Sequence, residues 1–268
     1  MPLLLAFAVS SIIAGIAFWR GSLSTSGATG AVIIGAITFG FGGWTWGVLL
    51  VLFFVTSSAL SRFREVDKHK AAEASEKGSR RDLGQVLANG GVPAGLALTS
   101  CLATWEGWLA MFIGALATVT ADTWATELGT LSRSPPRLVT TGRVVAAGTS
   151  GGISALGTLA AVAGGAMIGL AAGLMPNGLP WWIALPLGLV SGLAGSRIDS
   201  LLGANLQRQG YCPSCQAATE ARIHRCGAAS KLTRGCSWLG NDAVNCLASL
   251  GGGLIALVSW LWLNGIGS

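Results

Sequence analysis

Long apolar runs most constrain how this chain can fold. Several approach or exceed the roughly 20 residues that cross about 30 Å of hydrocarbon as a helix. Because backbone N–H and C=O groups must find partners within the protein in lipid, such runs predict transmembrane helices. The expected fold is all-α, a polytopic transmembrane helical bundle of about seven or eight spans. The runs cover residues 2–19, 44–60, 152–175, 181–194 and 243–263.

Composition and charge agree with this class. Of the 268 residues, 51% are hydrophobic and only 10% are charged, and the mean hydropathy is +0.62. A net charge of +6 could suggest a nucleic-acid binder, but the basic residues fall in a few short connections between the runs. That distribution is the positive-inside pattern. We therefore expect membrane lipids, and no nucleic acid, as partners.

Glycine is abundant inside the apolar runs. The chain has 40 glycines, and Gly164, Gly165, Gly169 and Gly173 share one run. Small residues allow helix backbones to approach closely in lipid, so the bundle is predicted to be tight.

The chain is predicted to form one transmembrane domain, residues 1–268. A short helix at 28–41 either spans or re-enters the membrane, and Gly42-Gly43 separates it from the next helix. Charge asymmetry places loops 62–83, 132–147 and 205–238 in the cytoplasm and both termini outside it. The expected location is a bacterial inner membrane or a cyanobacterial membrane, crossed several times. The remaining spans are expected at about 3–19, 44–61, 85–101, 108–128, 151–175, 181–204 and 241–263.

Two carboxylates, Asp122 and Glu127, end an apolar run in which spanning a bilayer requires no charge, so they are functional candidates. The two lie five residues apart and diverge by roughly 140° on a helix, so they need not bind one ion. Glycine-containing segments 24–30 and 148–152 each open a helix, where N–H groups can meet a phosphate. The topology places other polar groups at the same level: Gln85, Asn89, Arg197, Asp199, Asn241, Asp242 and Asn245.

Carboxylate, amide and hydroxyl oxygens from separate helices are ligands that Mg²⁺ accepts alongside substrate phosphates. Each candidate also has a purely structural alternative. Asp199 could pair with Arg197 or cap a helix, and Asp242 could stabilise the start of a helix. Glu127 could be a solvated acid at the membrane surface. Asn89 could form a hydrogen bond between helices, and residues 148–152 could be only a turn.

A Cys/His cluster lies in the loop predicted at 205–238. Cys212 and Cys215 are followed by His224 and Cys226, a set that can form a structural tetrahedral Zn²⁺ site. Disulfides are disfavoured in the cytoplasm. A reduced loop without metal and a redox-active loop are the alternatives.

Five motifs carry a resemblance to a known family. They are KGSRR at 77–81 with QVLANG at 85–90, ADTWATELG at 121–129, GTSGGIS at 148–154, GSRIDSLLG at 195–203 and WLGNDAVN at 238–245. At these residues the chain resembles the integral-membrane family that contains the phytyl-phosphate kinases of tocopherol and phylloquinone synthesis, with further bacterial, archaeal and animal members. The resemblance covers nearly the whole chain.

The resemblance implies transfer of the γ-phosphoryl group of a nucleoside triphosphate, CTP by analogy, to an isoprenoid phosphate such as phytyl phosphate. The site is then expected at the cytoplasmic membrane face. Asp122, Asp199 and Asp242 would hold Mg²⁺. Glu127 would be a further ligand or would contact the ligands without touching the metal. The residues expected to contact phosphates or nucleotide are Lys77, Arg81, Gln85, Asn89, Thr149, Gly151, Gly152, Arg197, Asn241 and Asn245.

Two other functions fit the same residues. A transporter or flippase for polyprenyl phosphates would also place polar groups at broken helices beside a basic mouth. A carrier requires its polar site near the midplane, whereas these groups gather at one face. A kinase that acts on the free isoprenoid alcohol is the closer enzymatic alternative. The chain contains no GxxxxGK[ST] signature, so its nucleotide site must be of another type.

Overall fold

The computed structural model describes residues 1–63, 80–103 and 105–265 and is mostly helical. Within them eight α-helices follow one another, with bounds close to the predicted spans. They are α1 (Leu3–Trp19), α2 (Thr25–Ile37), α3 (Gly43–Arg62), α4 (Leu83–Thr99), α5 (Gly107–Gly129), α6 (Ala155–Leu174), α7 (Trp181–Asn205) and α8 (Asn241–Gly265).

Four helical stretches in the described residues are long and apolar enough to cross a membrane: 25–62, 107–129, 155–174 and 241–265. Helix α1 is apolar but shorter, at 17 residues. The helical bundle is therefore as predicted, while the number of seven or eight spans stays a prediction.

The break expected at Gly42-Gly43 is present. A π-helical turn, Thr38–Gly42, ends α2, and Gly43 adopts a φ of 78° that a residue with a side chain rarely takes. Phe39 of this turn packs edge-on against Trp44, with 5.6 Å between ring centroids. The helix path is thus interrupted between α2 and α3.

Helix α5 is the centre of the bundle. It packs against α3, α4, α6, α7 and α8, and every residue from Ala110 to Ala121 is buried. A helix surrounded on all sides has no polar face, which explains why this stretch is apolar or Thr-bearing throughout. Helices α1 and α2 pack on each other, and α2 joins the rest through α4.

Glycine contacts between α6 and α7 confirm the predicted tight packing. A Cβ built on Gly165 would lie 2.5 Å from the carbonyl oxygen of Gly188, and a Cβ on Gly188 would lie 2.5 Å from that of Gly165. Neither backbone could approach so closely if the other carried a side chain.

Alternate helix ends gather at one end of the bundle. The Ser24 N–H donates to Arg81 O at 3.0 Å, and the Arg208 N–H donates to Leu239 O at 2.8 Å. These two hydrogen bonds join segments at helix ends that are far apart in sequence. At the opposite end, Thr45 donates to Pro176 O at 2.5 Å. Met1 lies there, and the ring of Trp260 near the end of α8 packs on Trp105, so both chain ends lie opposite the first set of contacts.

Two small sheets replace parts of the predicted loops. Strands β1 (Arg137–Leu138) and β2 (Gly152–Ile153) pair antiparallel, and β3 (Gln209–Cys212), β4 (Ala217–Thr219) and β5 (Lys231–Arg234) form an antiparallel sheet in the order β4-β3-β5. Because residues 152–153 belong to a strand, α6 begins at Ala155 and not near 151 as predicted. Ser154 caps it by accepting from the Gly157 N–H at 3.1 Å.

Candidate functional site

A cavity of about 590 Å³ opens where the alternate helix ends gather. Its volume is within the range of small-molecule sites, about 300–1,000 Å³. It brings together most residues predicted from the sequence. These are Arg81, Gln85, Asn89, Asp122, Glu127, Thr149, Gly151, Gly152, Arg197, Asp199, Asn241 and Asn245.

Asp122 and Asp199 meet across the α5–α7 contact. Ser196 Oγ donates to Asp122 Oδ1 at 3.4 Å, and Asp199 lies one turn beyond Ser196 on the same face of α7. Oδ2 of Asp199 is buried and accepts no hydrogen bond from any described residue. Asp199 is also subject to repulsion from the carboxylates of Asp122 and Glu220. Asp122, Asp199 and Glu220 are each half-buried. Acids that repel one another in such a site are stabilised by a cation, so this side of the cavity can hold a divalent metal.

Glu127 has different partners, as its helical position predicts. Ser61 of α3 donates to Glu127 Oε1 at 2.6 Å, and the Arg81 guanidinium is close enough to interact with this carboxylate. Asp122 is bonded to α7 instead. The two acids of α5 therefore serve opposite sides of one cavity.

Arg81 is held firmly by its backbone. Its N–H donates to Ser22 O at 3.1 Å and its carbonyl accepts from the Ser24 N–H, and Gly27 allows this close approach because a Cβ there would collide with Arg81 O. The guanidinium lies over the rings of Phe53 and Phe54, 5.6 and 5.4 Å from their centroids. Burial lowers the pKa of Arg81 to about 10, an effect that Glu127 opposes. Arg81 is thus a fixed cation at neutral pH.

Gln85 is partly used for helix capping. Asp82 Oδ1 accepts from the Gln85 N–H at 2.9 Å, and Gln85 Oε1 accepts from the Asp82 N–H at 3.1 Å, forming a capping box at the start of α4. Asn89 Nδ2 donates back to Gln85 O at 2.9 Å. Both side chains line the cavity. Because the cap uses the Gln85 side-chain oxygen, the side-chain amide nitrogen of Gln85 is the main group that can bind a ligand.

Arg197 contacts α6. Its Nη2 donates to Thr158 Oγ1 at 2.7 Å. Among the described residues it forms no ion pair with Asp199, so the structural alternative of an Arg197–Asp199 pair does not apply. The guanidinium lines the cavity beside the loop that precedes α6.

The glycine-containing loop at 148–152 differs from the phosphate cradle that was predicted. Gly148 and Gly151 have φ values of 85° and 81°, and the loop folds into turns in which the Thr149 and Gly152 N–H groups donate to Ala146 O and Thr149 O. Those two N–H groups are therefore engaged within the protein. A Cβ on Gly151 would lie 2.5 Å from Ala204 Cβ, so the glycine allows the loop to pack against α7.

Four predicted residues need separate mention. Asn241 and Asn245 in the first turns of α8 line the cavity, whereas Asp242 is not part of the described lining. An acid in the first turn of a helix is stabilised by the helix N-terminus, which is the structural alternative for Asp242. Lys77 lies outside the described residues.

Sequence reasoning missed several polar residues of the cavity, among them Ser61, Gln207 and Glu220. Ser150 Oγ donates to Glu220 Oε1, which joins the β3–β5 sheet to the loop at 148–152. Gln207 is 2% exposed, and its Nε2 donates to no described residue. Glu220 follows no apolar run, and Gln207 lies two residues beyond the end of α7, so only their position between α7 and α8 could have drawn attention to them.

Comparison with known proteins identifies the family. The family model described as "Integral membrane protein DUF92" matches residues 8–253. The chain belongs to this family. It is 33% identical over 273 residues to Protein PGR of Arabidopsis thaliana, covering 92% of each chain. It is also 33% identical to Uncharacterized membrane protein MJ0933 of Methanocaldococcus jannaschii, over 90% of this chain and 87% of the relative. No solved structure matched.

Membership in an integral membrane family confirms the membrane class predicted from the apolar runs. A third relative, Uncharacterized membrane protein sll0875 of Synechocystis sp., is 28% identical over 67% of this chain. The family match contains all of the cavity-lining residues, from Ser61 to Asn245.

An apolar cleft adjoins the polar cavity. It lies among α1 to α4 and has a volume of about 80 Å³, with Ala14, Ile34, Val51 and Phe54 among its walls. Arg81, Gln85 and Asn89 line both the cleft and the cavity. A molecule with an apolar chain and an anionic head could occupy both at once.

Proposed function

We propose that this protein is a membrane-embedded isoprenoid-phosphate kinase. It transfers the γ-phosphoryl group of a nucleoside triphosphate, CTP by the family resemblance, to a prenyl monophosphate such as phytyl phosphate, and yields the diphosphate. The observation that carries the proposal is the wall of Arg81, Gln85 and Asn89 shared by the apolar cleft and the polar cavity. A prenyl monophosphate has the same two-part character.

The acceptor lipid is assigned to the α1–α4 side. The cleft is small, so it encloses only the part of the chain next to the phosphate, and the rest lies in surrounding lipid. Arg81 stands at the junction, fixed by Ser22 and Ser24 and protonated at neutral pH. A guanidinium binds phosphate through paired N–H donors, so Arg81 is proposed to hold the acceptor phosphate.

The nucleotide is assigned to the α6–α8 side. Arg197, which Thr158 orients, supplies a second cation there. The Ser150 and Gly151 N–H groups, Asn241 and Asn245 are the further polar groups proposed to contact the triphosphate and nucleoside. Two cations, Arg81 in the segment before α4 and Arg197 on α7, suit a reaction that aligns two phosphate groups.

The acids of α5 and α7 fit Mg²⁺. The supporting observation is Asp199 Oδ2, a buried oxygen that accepts no hydrogen bond from any described residue. The carboxylates of Asp122 and Glu220 also repel the negative charge of Asp199. We propose that Asp122 and Asp199 hold the ion, with Glu220 taking the third position first expected for Asp242. Mg²⁺ bound there would neutralise negative charge on the phosphates during transfer.

The transfer itself needs few protein groups. An oxygen of the acceptor phosphate attacks the γ-phosphorus, a P–O–P bond forms, and the bond to the β–γ bridging oxygen breaks to release the nucleoside diphosphate. A phosphate monoester loses its second proton with a pKa of about 6, so the acceptor is largely ionised at neutral pH. Positioning and charge neutralisation, rather than a strong general base, are therefore the tasks of the site.

The position of the cavity favours a kinase over a carrier. Asp122 lies seven residues before the end of α5, about 10 Å along its axis. From Ala110 to Ala121 the same helix is buried among its neighbours, so no polar path continues along α5. A carrier site is expected near the membrane midplane and open in turn to each side.

The test uses the purified protein in lipid nanodiscs with Mg²⁺ and γ-labelled CTP. With phytyl phosphate or geranylgeranyl phosphate, we expect the label in a lipid diphosphate. Label transfer to free phytol but not to the phosphates would replace the proposal with an alcohol kinase. Failure to label either lipid with any common nucleoside triphosphate, together with movement of lipid phosphate across liposomes, would replace it with a carrier.

A further inference from the structure

Three sulfur atoms and one nitrogen converge at an edge of the β3–β5 sheet. Cys212 ends β3, Cys215 lies in the turn to β4, and His224 and Cys226 lie in the segment between β4 and β5. The four ligand atoms lie within 4.8 Å of one another. Cys212 Sγ is 3.6 Å from Cys226 Sγ, and His224 Nδ1 is 3.2 Å from Cys226 Sγ.

These separations suit a tetrahedral metal. Bonds of about 2.3 Å to sulfur and 2.0–2.1 Å to nitrogen place two tetrahedral sulfurs about 3.8 Å apart, and a sulfur and a nitrogen about 3.6 Å apart. Three thiolates and one imidazole form one of the donor sets of structural zinc. Hard cations such as Mg²⁺ select oxygen ligands instead, so this site is chemically distinct from the acids of the cavity.

The local backbone arranges the four side chains. Cys212 comes directly before the β3–β4 turn and Cys215 lies within it, and the turn ends at Gln216, which has a φ of 52°. His224 begins a second turn that contains Cys226, closed by His224 N–H to Ala228 O at 2.9 Å and Gly227 N–H to His224 O at 2.8 Å, with Gly227 at a φ of 85°. Two tight turns thus present two ligands each, which is an economical way to build a four-ligand site.

The sheet has little else to stabilise it. Its strands are four, three and four residues long, and all four residues of β5 are exposed. Arg208 is 6% exposed and its guanidinium links the segment between β4 and β5 to the start of the sheet. It donates to Glu220 O at 2.9 Å, Ala221 O at 3.0 Å and Ser230 Oγ at 2.7 Å. Small folds without a sizeable core commonly depend on a metal or a disulfide.

The geometry points to a zinc site made of Cys212, Cys215, His224 and Cys226 that holds the β3–β5 sheet against the cavity. The connection to the cavity is short. Glu220 directly follows β4, and Ser150 donates to its carboxylate. Gln207, two residues before β3, lines the cavity as well. Zinc at this site is structural, and it positions Glu220 and Gln207 without touching a substrate.

The first test is the metal content of the purified protein by mass spectrometry, without reference to any activity. We expect about one zinc per chain in the wild type and in Cys101→Ser, which removes an exposed cysteine outside the cluster. Cys215→Ser and His224→Ala should lose the zinc. Co²⁺ exchange should give the d–d and thiolate charge-transfer bands of a tetrahedral site. Wild-type protein that binds neither metal after reduction and reconstitution, or a Cys212–Cys226 disulfide in freshly isolated membranes, overturns the proposal.

A second measurement tests the holding role and needs no variant to fold. Arg222, Arg225 and Arg234 are exposed trypsin sites within the sheet segment. Zinc-loaded protein should resist cleavage there, and a zinc-selective chelator should speed cleavage by about tenfold or more, with protection restored by added zinc. Equal cleavage of loaded and stripped protein would show that the metal does not hold the sheet.

Discussion

The Ser196 hydroxyl donates a hydrogen bond to the Asp122 carboxylate, with 3.4 Å between Oγ and Oδ1. This contact joins α7 to α5 where both helices end at the cavity. Asp199 lies on the same face of α7 as Ser196, so the contact also brings a second acid beside the first. The proposed metal site depends on this packing of two helices.

Neutralising either acid should impair phosphoryl transfer. We expect Asp122→Asn and Asp199→Asn to lower kcat by about 10²-fold or more, because each removes charge that would stabilise the metal and the transferred group. Kinase assays with labelled CTP measure the effect. Glu106→Gln, an exposed acid at the opposite end of the bundle, should be unaffected. Full turnover in Asp122→Asn would remove this residue from the site.

Glu220 should affect the requirement for Mg²⁺. We expect Glu220→Gln to raise the Mg²⁺ concentration for half-maximal activity by about tenfold, since a neutral amide is a weaker ligand than a carboxylate. Titration of activity with Mg²⁺ measures this, and Glu220→Asp should recover part of it. An unchanged Mg²⁺ dependence would limit Glu220 to its contact with Ser150.

Arg81 should determine affinity for the lipid phosphate. We expect Arg81→Gln to raise the KM for phytyl phosphate by about 10- to 100-fold, the effect of losing a charge-assisted contact of about 1.5–3 kcal/mol. Arg80→Gln is the matched control, because Arg80 is the exposed neighbour outside the cavity lining. If both variants raise the KM equally, general surface charge is responsible and Arg81 has no special role.

The apolar cleft should select for the lipid chain. Val51 lines the cleft, whereas Val55, one turn further along α3, is 54% exposed. We expect Val51→Phe to raise the KM for phytyl phosphate several-fold. The same variant should leave the KM for a five-carbon prenyl phosphate nearly unchanged. Val55→Phe should change neither. Equal effects of Val51→Phe on both lipids would show that the chain binds elsewhere.

The contact between Gly165 and Gly188 should be sensitive to a single methyl group. Gly165→Ala forces a Cβ to within 2.5 Å of Gly188 O, and such overpacking costs about 1–3 kcal/mol. A loss of several degrees in Tm is expected in detergent. Gly15→Ala is the control, since a Cβ at Gly15 meets nothing within 4 Å. Equal Tm values for the two variants would show that the α6–α7 contact can relax.

Much of the helical frame could be predicted because the signals are local. Apolar runs and their charged ends locate helices, and the break at Gly43 follows from glycine chemistry. Alternation of helix direction then places every second helix end at one side. Asp122, Asp199 and Asn241 therefore reach one cavity, as the topology predicted.

The departures have a common cause, which is local hydrogen bonding within loops. The Gly152 N–H is used in a turn with Thr149, and the Gln85 side chain completes a cap with Asp82. Neither partner follows from helix periodicity. The loop predicted at 205–238 likewise contains three strands, which are too short to show a clear alternating pattern.

The sequence by itself determined the membrane class, the helices and the end of the bundle where polar groups collect, because these depend on hydrophobic length and on charge position. Only the tertiary structure decided which polar groups share a cavity. Glu220 enters through the β3–β5 sheet and Ser61 through its bond to Glu127, whereas Asp242, one residue from Asn241, is not part of the described lining. Helix rotation and sheet docking depend on packing between segments far apart in the chain, which no local pattern records.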